Sequence, residues 1–520
     1  MHRALTVLAL PLIASCAAPA ADVRTAASPV ACEALTGLSL PHLSVVSARL
    51  FPASPASESA PTLPASCRII GIARPTTDSE IRFEVAIPSG GAWNGRYKQV
   101  GNGGFAGKIP EDEILDGLAE GYATAGTDDG HDSENPTDAS WALGHPEKVV
   151  DFGYRALKET TDAARAILRA HTGRAPVRSY FEGCSDGGRE ALMEAQRYPD
   201  DFDGIVAGAP ANHWTRLLAA AAWNAQALQE TPASYVPPGK LRAIEDAALA
   251  ACGDADRVVE DPPSCRFDPA VLRCAGADSD ACLTDAQIKA VRAIYAGPRN
   301  PRTSELIFPG QEPGSEAERG GWQTWVSGRA PGKEGGAALT LFASSFYAYI
   351  VFGDPSYDLR RLDFDGDMVT TEARVGKILN AEDPDLTAFR RHGGKLIQWH
   401  GWGDPAIPAR DSIAYYEAVR TKLGGVDDFY RLFMAPGTLH CGGGAGPDHF
   451  TRLPSLVAWV EEGKAPERIV AARMTGEPGH ETIVRTRPLC PYPRRATWDG
   501  KGDRARAESY LCTPPAVSPK

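Results

Sequence analysis

Residues 180–189 read Tyr180-Phe181-Glu182-Gly183-Cys184-Ser185-Asp186-Gly187-Gly188-Arg189, and a Gly-x-Ser-x-Gly motif stands in their middle. The apolar pattern predicts a strand at 178–182 before the motif and a helix at 187–197 after it. Glycines on both sides let the backbone turn sharply, so that the Ser185 hydroxyl stands exposed at the end of the strand. The motif alone is common, but at a strand-to-helix junction it predicts a nucleophile elbow.

The segments around the elbow alternate between predicted strands and helices. Further strands are predicted at 81–87, 96–100, 202–207, 395–400 and 429–434. Further helices are predicted at 149–171, 386–391, 412–423 and 453–462. This alternation is typical of an α/β fold whose mostly parallel sheet is flanked by helices.

Residues 213–390 interrupt this alternation. They contain predicted helices at 214–228 and 284–295 among loops rich in proline and glycine. Thr284 followed by Gln287 forms a capping box at the start of the second helix. We expect an inserted lid domain here, which divides an α/β-hydrolase core into a first part at 30–212 and a second part at 391–515.

The composition restricts the choice of partner. The 520 residues carry a formal net charge of −12, and no long run of Lys or Arg occurs. A chain of this kind is not expected to bind nucleic acid or an anionic membrane surface. We therefore expect a small-molecule substrate.

The first 15 residues have the pattern of an export signal, a short positive start followed by an apolar stretch too short to cross a bilayer. The sequence Ile13-Ala14-Ser15-Cys16 resembles a bacterial lipobox, in which Cys16 would be lipidated and become the mature N-terminus. Cleavage in the small-residue run 17–21 is the alternative. The expected location is the periplasm, the outer membrane through a lipid on Cys16, or the medium.

Ten cysteines remain after Cys16, and an even number in an exported chain predicts disulfides. No Cys-x-x-Cys pair occurs, which weakens zinc and redox interpretations. The sequence does not determine the connectivity. Three pairs are close enough to close local loops: Cys252/Cys265, Cys274/Cys282 and Cys490/Cys512.

A serine becomes a nucleophile when a base accepts its proton and an acid orients that base. In α/β-hydrolases the chain order is Ser, acid, His. The strand predicted at 395–400 leads into a loop with Asp404, and the strand at 429–434 leads into a loop with His440. The order predicts Ser185 as nucleophile, Asp404 as acid and His440 as base.

Three other histidines have different interpretations. His400 ends a strand and is expected to have a structural role, and His480 lies in a polar turn where solvation is expected. His449 lies close enough to His440 to be the second candidate for the base.

The oxyanion formed in acyl transfer needs backbone donors. The amide of Asp186, which follows the nucleophile, is one candidate. Gly103 or Gly104, at the end of an early strand, would supply the second, because glycine lets the backbone approach closely. An ordinary glycine turn is the alternative there.

Cys184 precedes the proposed nucleophile and Cys441 follows the proposed base. If Ser185 and His440 are within hydrogen-bonding distance, these cysteines could be bridged and would tie the elbow to the histidine loop. Two separate buried thiols are the alternative.

These motifs together resemble the tannase and feruloyl esterase family, which also includes hydrolases of a terephthalate monoester. The resemblance rests on Gly-Cys-Ser-Asp-Gly-Gly-Arg, Leu-His-Cys and the acid loop His-Gly-Trp-Gly-Asp-Pro, and it runs from about Cys32 to Cys512. It implies an α/β-hydrolase core with a lid and the triad Ser185, Asp404 and His440. It also implies the disulfides Cys184–Cys441, Cys32–Cys67, Cys252–Cys265, Cys274–Cys282 and Cys490–Cys512.

One segment departs from the family pattern. Members of the family carry a calcium loop in the lid, but here residues 252–261 are shortened and lack a glycine after Asp256. A hard cation takes six to eight oxygen ligands, so a structural calcium is in doubt and no cofactor is expected to be required. The run 363–367 hints at a calcium loop, but its glycine falls one place early and Arg374 replaces the closing Glu. We expect solvated acids there.

The sequence therefore predicts a serine carboxylesterase that acts through an acyl-enzyme on esters of aromatic acids. Hydroxycinnamate esters come first, with gallate esters and terephthalate monoesters as alternatives. The lid aromatics Trp322, Trp325, Phe346 and Tyr347 either line a pocket for a flat acyl group or form the core of the lid. Rival functions are an inactive surface binding protein, an acyltransferase with the same triad and a metal-dependent hydrolase.

Overall fold

A nine-stranded sheet lies at the centre of the structure, a computed structural model that describes residues 29–57, 61–476 and 480–515. Its strands are β1 Leu43–Phe51, β2 Ser66–Ala73, β3 Ile81–Pro88, β4 Arg96–Val100, β5 Ala123–Thr127, β6 Arg178–Cys184, β7 Gly204–Gly208, β8 Lys395–Gly401 and β9 Tyr430–Ala435. The predicted export signal and Cys16 lie outside the described residues.

The spatial order of the strands is β1-β2-β3-β5-β4-β6-β7-β8-β9. The six strands from β5 to β9 in this order run parallel, whereas β1, β2 and β3 pair antiparallel at one edge. Strands β5 and β7 are buried along their whole length, as expected for parallel strands covered on both faces. The predicted α/β fold with a mostly parallel sheet is confirmed.

Helices cover both faces of the sheet. The α-helices are α1 Glu111–Ala119, α2 Pro146–Val150, α3 Ala156–Thr172, α4 Asp186–Arg197, α5 Trp214–Gln229, α6 Pro238–Cys252, α7 Asp285–Ala296, α8 Trp322–Trp325, α9 Ala338–Ser345, α10 Gly366–Thr371, α11 Lys377–Leu379, α12 Thr387–His392, α13 Arg410–Leu423 and α14 Arg452–Glu462. Apolar residues of α3, α4 and α13 form one core with the sheet. Those of α1 and α14 pack on the opposite face.

Helices α5 to α12 all lie between β7 and β8. Their largest core is separate from the two sheet cores and contains Trp214, Trp322, Phe346 and Tyr347. The capping box predicted at Thr284 and Gln287 is present at the start of α7. This arrangement agrees with an inserted lid, while the limits 213 and 390 stay a prediction.

The C-terminal part of the chain adds two small antiparallel sheets. The first contains β10 His449–Phe450, β11 Ile469–Thr475 and β12 Thr482–Leu489, and the second contains β13 Arg495–Trp498 and β14 Tyr510–Thr513. Within the described residues, no helix combines the length and apolar character needed to cross a membrane.

All five disulfides implied by the family resemblance are present: Cys32–Cys67, Cys184–Cys441, Cys252–Cys265, Cys274–Cys282 and Cys490–Cys512. Four of them join segments at most 35 residues apart. Only Cys184–Cys441 joins distant parts of the sequence, with a separation of 257 residues.

Candidate active site

Ser185 stands at a sharp turn between β6, which ends at Cys184, and α4, which begins at Asp186. Its backbone angles are φ 68° and ψ −121°, a combination that costs energy for any residue with a side chain. Gly183 must lack a side chain, because a Cβ there would overlap the carbonyl oxygen of Gly187. The predicted strand, turn and helix are therefore found, with the strain expected of a nucleophile elbow.

The structure brings the three predicted triad residues together. Asp404 lies in the loop after β8 and His440 in the loop after β9, at the same edge of the sheet as Ser185. His440 Nε2 is 2.8 Å from Ser185 Oγ, and His440 Nδ1 is 2.8 Å from Asp404 Oδ2. With a proton on Nδ1 donated to the carboxylate, Nε2 is free to accept the serine proton.

Hydrogen-bond donors surround the buried carboxylate of Asp404. Its Oδ1 accepts the backbone N–H groups of Ala406 and Ile407 at 2.8 and 2.9 Å, and its Oδ2 also lies 3.2 Å from His400 Nε2. Burial alone would raise the pKa of Asp404, but the charge of His440 and hydrogen bonds from both imidazoles hold it well below its usual range. Asp404 is therefore ionised whenever the protein is folded near neutral pH.

His400 has a more specific place than the sequence indicated. It is fully buried, with Nδ1 2.7 Å from Ser412 Oγ and Nε2 3.0 Å from the carbonyl oxygen of Ile407. The expected structural role agrees with these contacts. Its contact with the carboxylate of Asp404 could not be read from the sequence.

A disulfide lies directly beside the hydrogen bond between serine and histidine. Cys184 and Cys441 are bonded, with their Cα atoms 6.0 Å apart. Each half-cystine is the chain neighbour of one member of the Ser185–His440 pair. The bond therefore limits how far the elbow and the histidine loop can separate.

The two candidate glycines for the oxyanion hole differ in their surroundings. The N–H of Gly103 donates to Asn102 Oδ1 at 3.0 Å. Gly104 lines the cavity next to Ser185 and Asp186 and has φ 63°, and a Cβ there would overlap the carbonyl oxygen of Pro136. Of these two residues, Gly104 is the one that lines the cavity.

The cavity beside Ser185 has an almost entirely apolar wall. Helix α5 contributes Trp214, Leu217 and Leu218, and the other large apolar residues are Trp325, Leu339, Phe342 and Ile407. The ring of Trp325 meets the ring of His440 nearly edge-on, with centroids 5.0 Å apart. Of the four aromatic residues named from the sequence, Trp325 lines the cavity, while Trp322, Phe346 and Tyr347 belong to the core of the lid.

Comparison with known proteins agrees with this geometry. The family model for tannase and feruloyl esterase matches residues 67–513. The chain belongs to the tannase and feruloyl esterase family.

Two curated relatives match this chain over most of their own lengths. An uncharacterized esterase of Xanthomonas campestris is 42% identical, and the match covers 96% of this chain and 94% of that protein. A mono(2-hydroxyethyl) terephthalate hydrolase of Piscinibacter sakaiensis is 34% identical over 89% of this chain and 87% of that protein. These relationships show a carboxylic ester hydrolase of the serine type.

A solved structure shows the same fold. Feruloyl esterase B from Aspergillus oryzae superimposes with a TM-score of 0.81 and 27% identity, and the match covers 93% of this chain and 99% of that chain.

The two remaining candidate histidines of the esterase, His449 and His480, are exposed at the surface. His449 is exposed at the start of β10, with Asp448 as its charged neighbour, and His480 is also exposed. In this arrangement His440 is the only histidine of the described residues that bonds to Ser185.

The shortened loop of the esterase lid holds its acids against arginines. The guanidinium of Arg487 contacts Asp256 directly and lies 3.4 Å from Glu260, and Arg485 lies 2.9 Å from Asp256. Arg487 is buried, so that a cation already occupies the position between these carboxylates. The residues of this loop do not fit a calcium ion.

The second acidic run of the esterase is likewise engaged. Asp363 accepts the backbone N–H groups of Asp365 and Gly366, and Asp365 pairs with Arg302 at 2.7 Å. Asp367 accepts the N–H of Asp363 and the hydroxyl of Tyr357. These carboxylates stabilise a turn.

Proposed function

We propose that Ser185, His440 and Asp404 are the catalytic triad of this esterase, and that it hydrolyses esters of hydroxycinnamic acids as a feruloyl esterase. One observation carries the proposal: a serine hydrogen-bonded through a histidine to a buried carboxylate opens onto an apolar cavity beneath the lid. This arrangement can activate a nucleophile and hold a flat, uncharged acyl group beside it.

In the proposed reaction Ser185 Oγ attacks the ester carbonyl while His440 Nε2 accepts its proton. The negative charge on the carbonyl oxygen is stabilised by the backbone N–H groups of Asp186 and Gly104. His440 then protonates the leaving alcohol, which departs and leaves an acyl-enzyme. A water molecule attacks this ester with His440 again as base, and the carboxylic acid is released.

The chemistry of the cavity wall favours hydroxycinnamate among the three acyl groups. Among the described residues that line it, none is Lys or Arg. A terephthalate monoester would place its free carboxylate against this wall without a partner, at a considerable cost in free energy. A gallate ring would bring three hydroxyl groups that need hydrogen-bond partners. Ferulate brings a single hydroxyl and a larger apolar surface.

We further infer that the enzyme works outside the cytoplasm. Five disulfides are typical of proteins that fold in an oxidising compartment. Whether it is anchored through Cys16 or released follows from the processing of its first residues. The mass of the purified N-terminal peptide distinguishes a lipidated Cys16 from cleavage within 17–21.

The substrate test uses methyl ferulate, methyl gallate and mono(2-hydroxyethyl) terephthalate with the wild type and Ser185→Ala. We expect the highest kcat/KM with methyl ferulate. We also expect the variant to lose about 10³-fold or more in kcat on every ester that the wild type cleaves.

Ser455→Ala is the matched control, because this hydroxyl on α14 bonds to the carbonyl of Thr451 away from the cavity. It should keep wild-type kinetics. Preference for the gallate or terephthalate ester would transfer the assignment to that substrate. Full activity of Ser185→Ala would refute the serine mechanism.

A further inference from the structure

Three carboxyl groups lie buried beneath the nucleophile elbow. Asp186 and Glu190 belong to α4, and Asp129 follows β5 with a positive φ of 60°. Each of these residues is at most 1% exposed, and one oxygen atom of each lies within 4.8 Å of the others. A set of acids so close together and so far from water requires a balancing charge.

Arg189 balances only one of the three. Its Nε lies 2.5 Å from Asp186 Oδ1, and its Nη1 and Nη2 donate to the carbonyl oxygens of Gly153 and Phe152 at 2.8 and 3.0 Å. Both carboxyl oxygens of Asp129 and Oε1 of Glu190 are buried without a donor from the described residues. Two facing carboxylates in that position would repel each other in a medium of low dielectric constant.

A single proton removes this conflict. One carboxyl oxygen of Asp129 and one of Glu190 lie within 4.8 Å of each other. Burial, followed by the neighbouring charge of Glu190, raises the pKa of Asp129 well above its usual range. Glu190 Oε2 accepts the backbone N–H of Asn102 at 2.9 Å, which a carboxylate does best. A proton on Asp129, donated to Glu190, would remove the repulsion and leave the Glu190 carboxylate to accept the N–H of Asn102.

Asn102 connects this pair to the reaction site. Its N–H is held by Glu190, its carbonyl oxygen accepts the N–H of Gly187 at 2.7 Å, and its side chain donates to the carbonyl of Thr127 at 2.9 Å. The next residues are Gly103 and Gly104. Asn102 thus holds the turn that carries Gly104 against helix α4, which begins with Asp186. The N–H groups of Gly104 and Asp186 are the two proposed oxyanion donors.

We propose that Asp129 and Glu190 form a carboxylic acid–carboxylate pair that positions the Asn102–Gly104 turn and so sets the separation of the two oxyanion donors. The pair consists of positioning residues, because neither side chain reaches the cavity. The inference rests on the triad and oxyanion hole proposed above.

The proton also has an electrostatic effect. A negative charge develops on the substrate carbonyl oxygen in the transition state, next to the N–H of Asp186 in the proposed oxyanion hole. A second ionised carboxylate at this depth would oppose that charge. A neutral side chain at position 129 therefore favours the transition state over the bound ester. The hydrogen bond that positions the turn acts on the same step, so its loss should lower kcat more than it raises KM.

The kinetic test compares Asp129→Ala with Asp129→Asn, and Glu190→Ala with Glu190→Gln, on 4-nitrophenyl acetate. This small ester does not depend on the preference for an aromatic acyl group. We expect the Ala variants to lose about 10- to 100-fold in kcat with KM changed less than about 3-fold. The amide variants keep a hydrogen bond between positions 129 and 190 and should recover most of kcat.

Two outcomes would overturn the proposal. Equal losses of kcat in Asp129→Asn and Asp129→Ala would show that the ionised form is the required one. A loss confined to KM would assign the pair to substrate binding. Circular dichroism and thermal unfolding identify variants that fail to fold. In that event the amide variants and the spectroscopic test below still decide.

Infrared difference spectra test the proton without turnover. The wild-type spectrum at neutral pH minus that of Asp129→Asn should contain the C=O stretching band of a protonated carboxylic acid. Absence of the band would refute a protonated Asp129. So would one equivalent of a tightly bound divalent metal in the wild type that is missing in Asp129→Asn, since a metal would then balance the charge. Failure of the substrate proposal leaves both readouts unaffected.

Discussion

The two walls of the active-site cleft are built in different ways. The catalytic wall is the proposed triad Ser185, Asp404 and His440 at the edge of the sheet. Hydrogen bonds join its three side chains, and a disulfide joins the chain neighbours of Ser185 and His440. The acyl wall comes mainly from lid helices α5, α8 and α9, where Trp214, Leu218 and their neighbours make van der Waals contacts alone. Directional bonds determine the first wall, and packing determines the second.

Because of this difference, substitutions in the two walls should affect different kinetic parameters. Small displacements in the catalytic wall break hydrogen bonds that matter most in the transition state, so substitutions there should lower kcat. The acyl wall contacts substrate and transition state alike, so substitutions there should raise KM or change the preferred ester.

The largest effect is expected for Asp404→Asn. An amide in place of the carboxylate favours the wrong histidine tautomer, with Nε2 rather than Nδ1 protonated. We expect kcat to fall by about 10³–10⁴-fold with little change in KM, as measured by steady-state hydrolysis of methyl ferulate. A loss smaller than about tenfold would show that the charge of Asp404 is not needed to orient His440.

The next largest effect is expected when the Cys184–Cys441 bridge is removed. In Cys184→Ala/Cys441→Ala, Ser185 and His440 are no longer held at 2.8 Å by their neighbours. We expect kcat to fall about tenfold or more and the free energy of unfolding to fall by about 2–5 kcal/mol.

Cys274→Ala/Cys282→Ala is the matched control for the bridge, because that disulfide closes a short loop in the lid. Kinetics and urea unfolding are measured for both pairs. Equal kinetic losses in the two variants would show that general stability, rather than the geometry of the catalytic wall, is responsible.

A smaller effect, on KM rather than on kcat, is expected for Trp325→Ala. Its ring lines the cavity and contacts the ring of His440. Loss of this surface should raise KM for methyl ferulate about 5- to 30-fold and change kcat less. Trp498→Ala, in the C-terminal strand β13, is the control. A change in kcat alone would place Trp325 with the catalytic wall.

The smallest effect concerns an acid that supports the lid. Glu316 accepts the hydroxyl of Tyr295 and the N–H of Gly314, and burial raises its pKa to about 7. Since the folded state binds this proton more tightly than the unfolded state, the contribution of Glu316 to stability falls as pH rises from about 4.5 to 7.

Glu316→Gln cannot titrate, so its melting temperature relative to the wild type should rise by about 1–3 °C between pH 5 and pH 8. Glu318→Gln, in the same segment, is the control and is measured at the same pH values. A constant difference for Glu316→Gln would mean that Glu316 is ionised throughout this range.

Chain order and strand ends made the catalytic wall predictable. Ser185, Asp404 and His440 each follow a strand of strong apolar pattern, and parallel strands end at one edge of a sheet. Strand β5, Ala-Thr-Ala-Gly-Thr, was not predicted, because its small and polar residues give no apolar periodicity. The antiparallel β1 and β2 at the exposed edge gave a similarly weak signal.

The residues of the acyl wall and the cluster of buried acids could not be predicted from sequence patterns. Helix α5 is apolar on nearly all sides, so periodicity does not reveal which residues face the cavity. Asp129 and Glu190 are 61 positions apart and belong to no motif, and only the folded chain places them side by side. Which lid aromatic meets the site depends on packing between α8 and α9 in the same way.

The sequence separation between Cys184 and Cys441 determines when their disulfide can form during synthesis and folding. A ribosome delivers the serine segment long before the histidine segment, which follows 257 positions later. The bond between them therefore awaits both the late part of the chain and an oxidant. Until that oxidation, the polypeptide lacks the bond that limits how far the elbow and the histidine loop can separate.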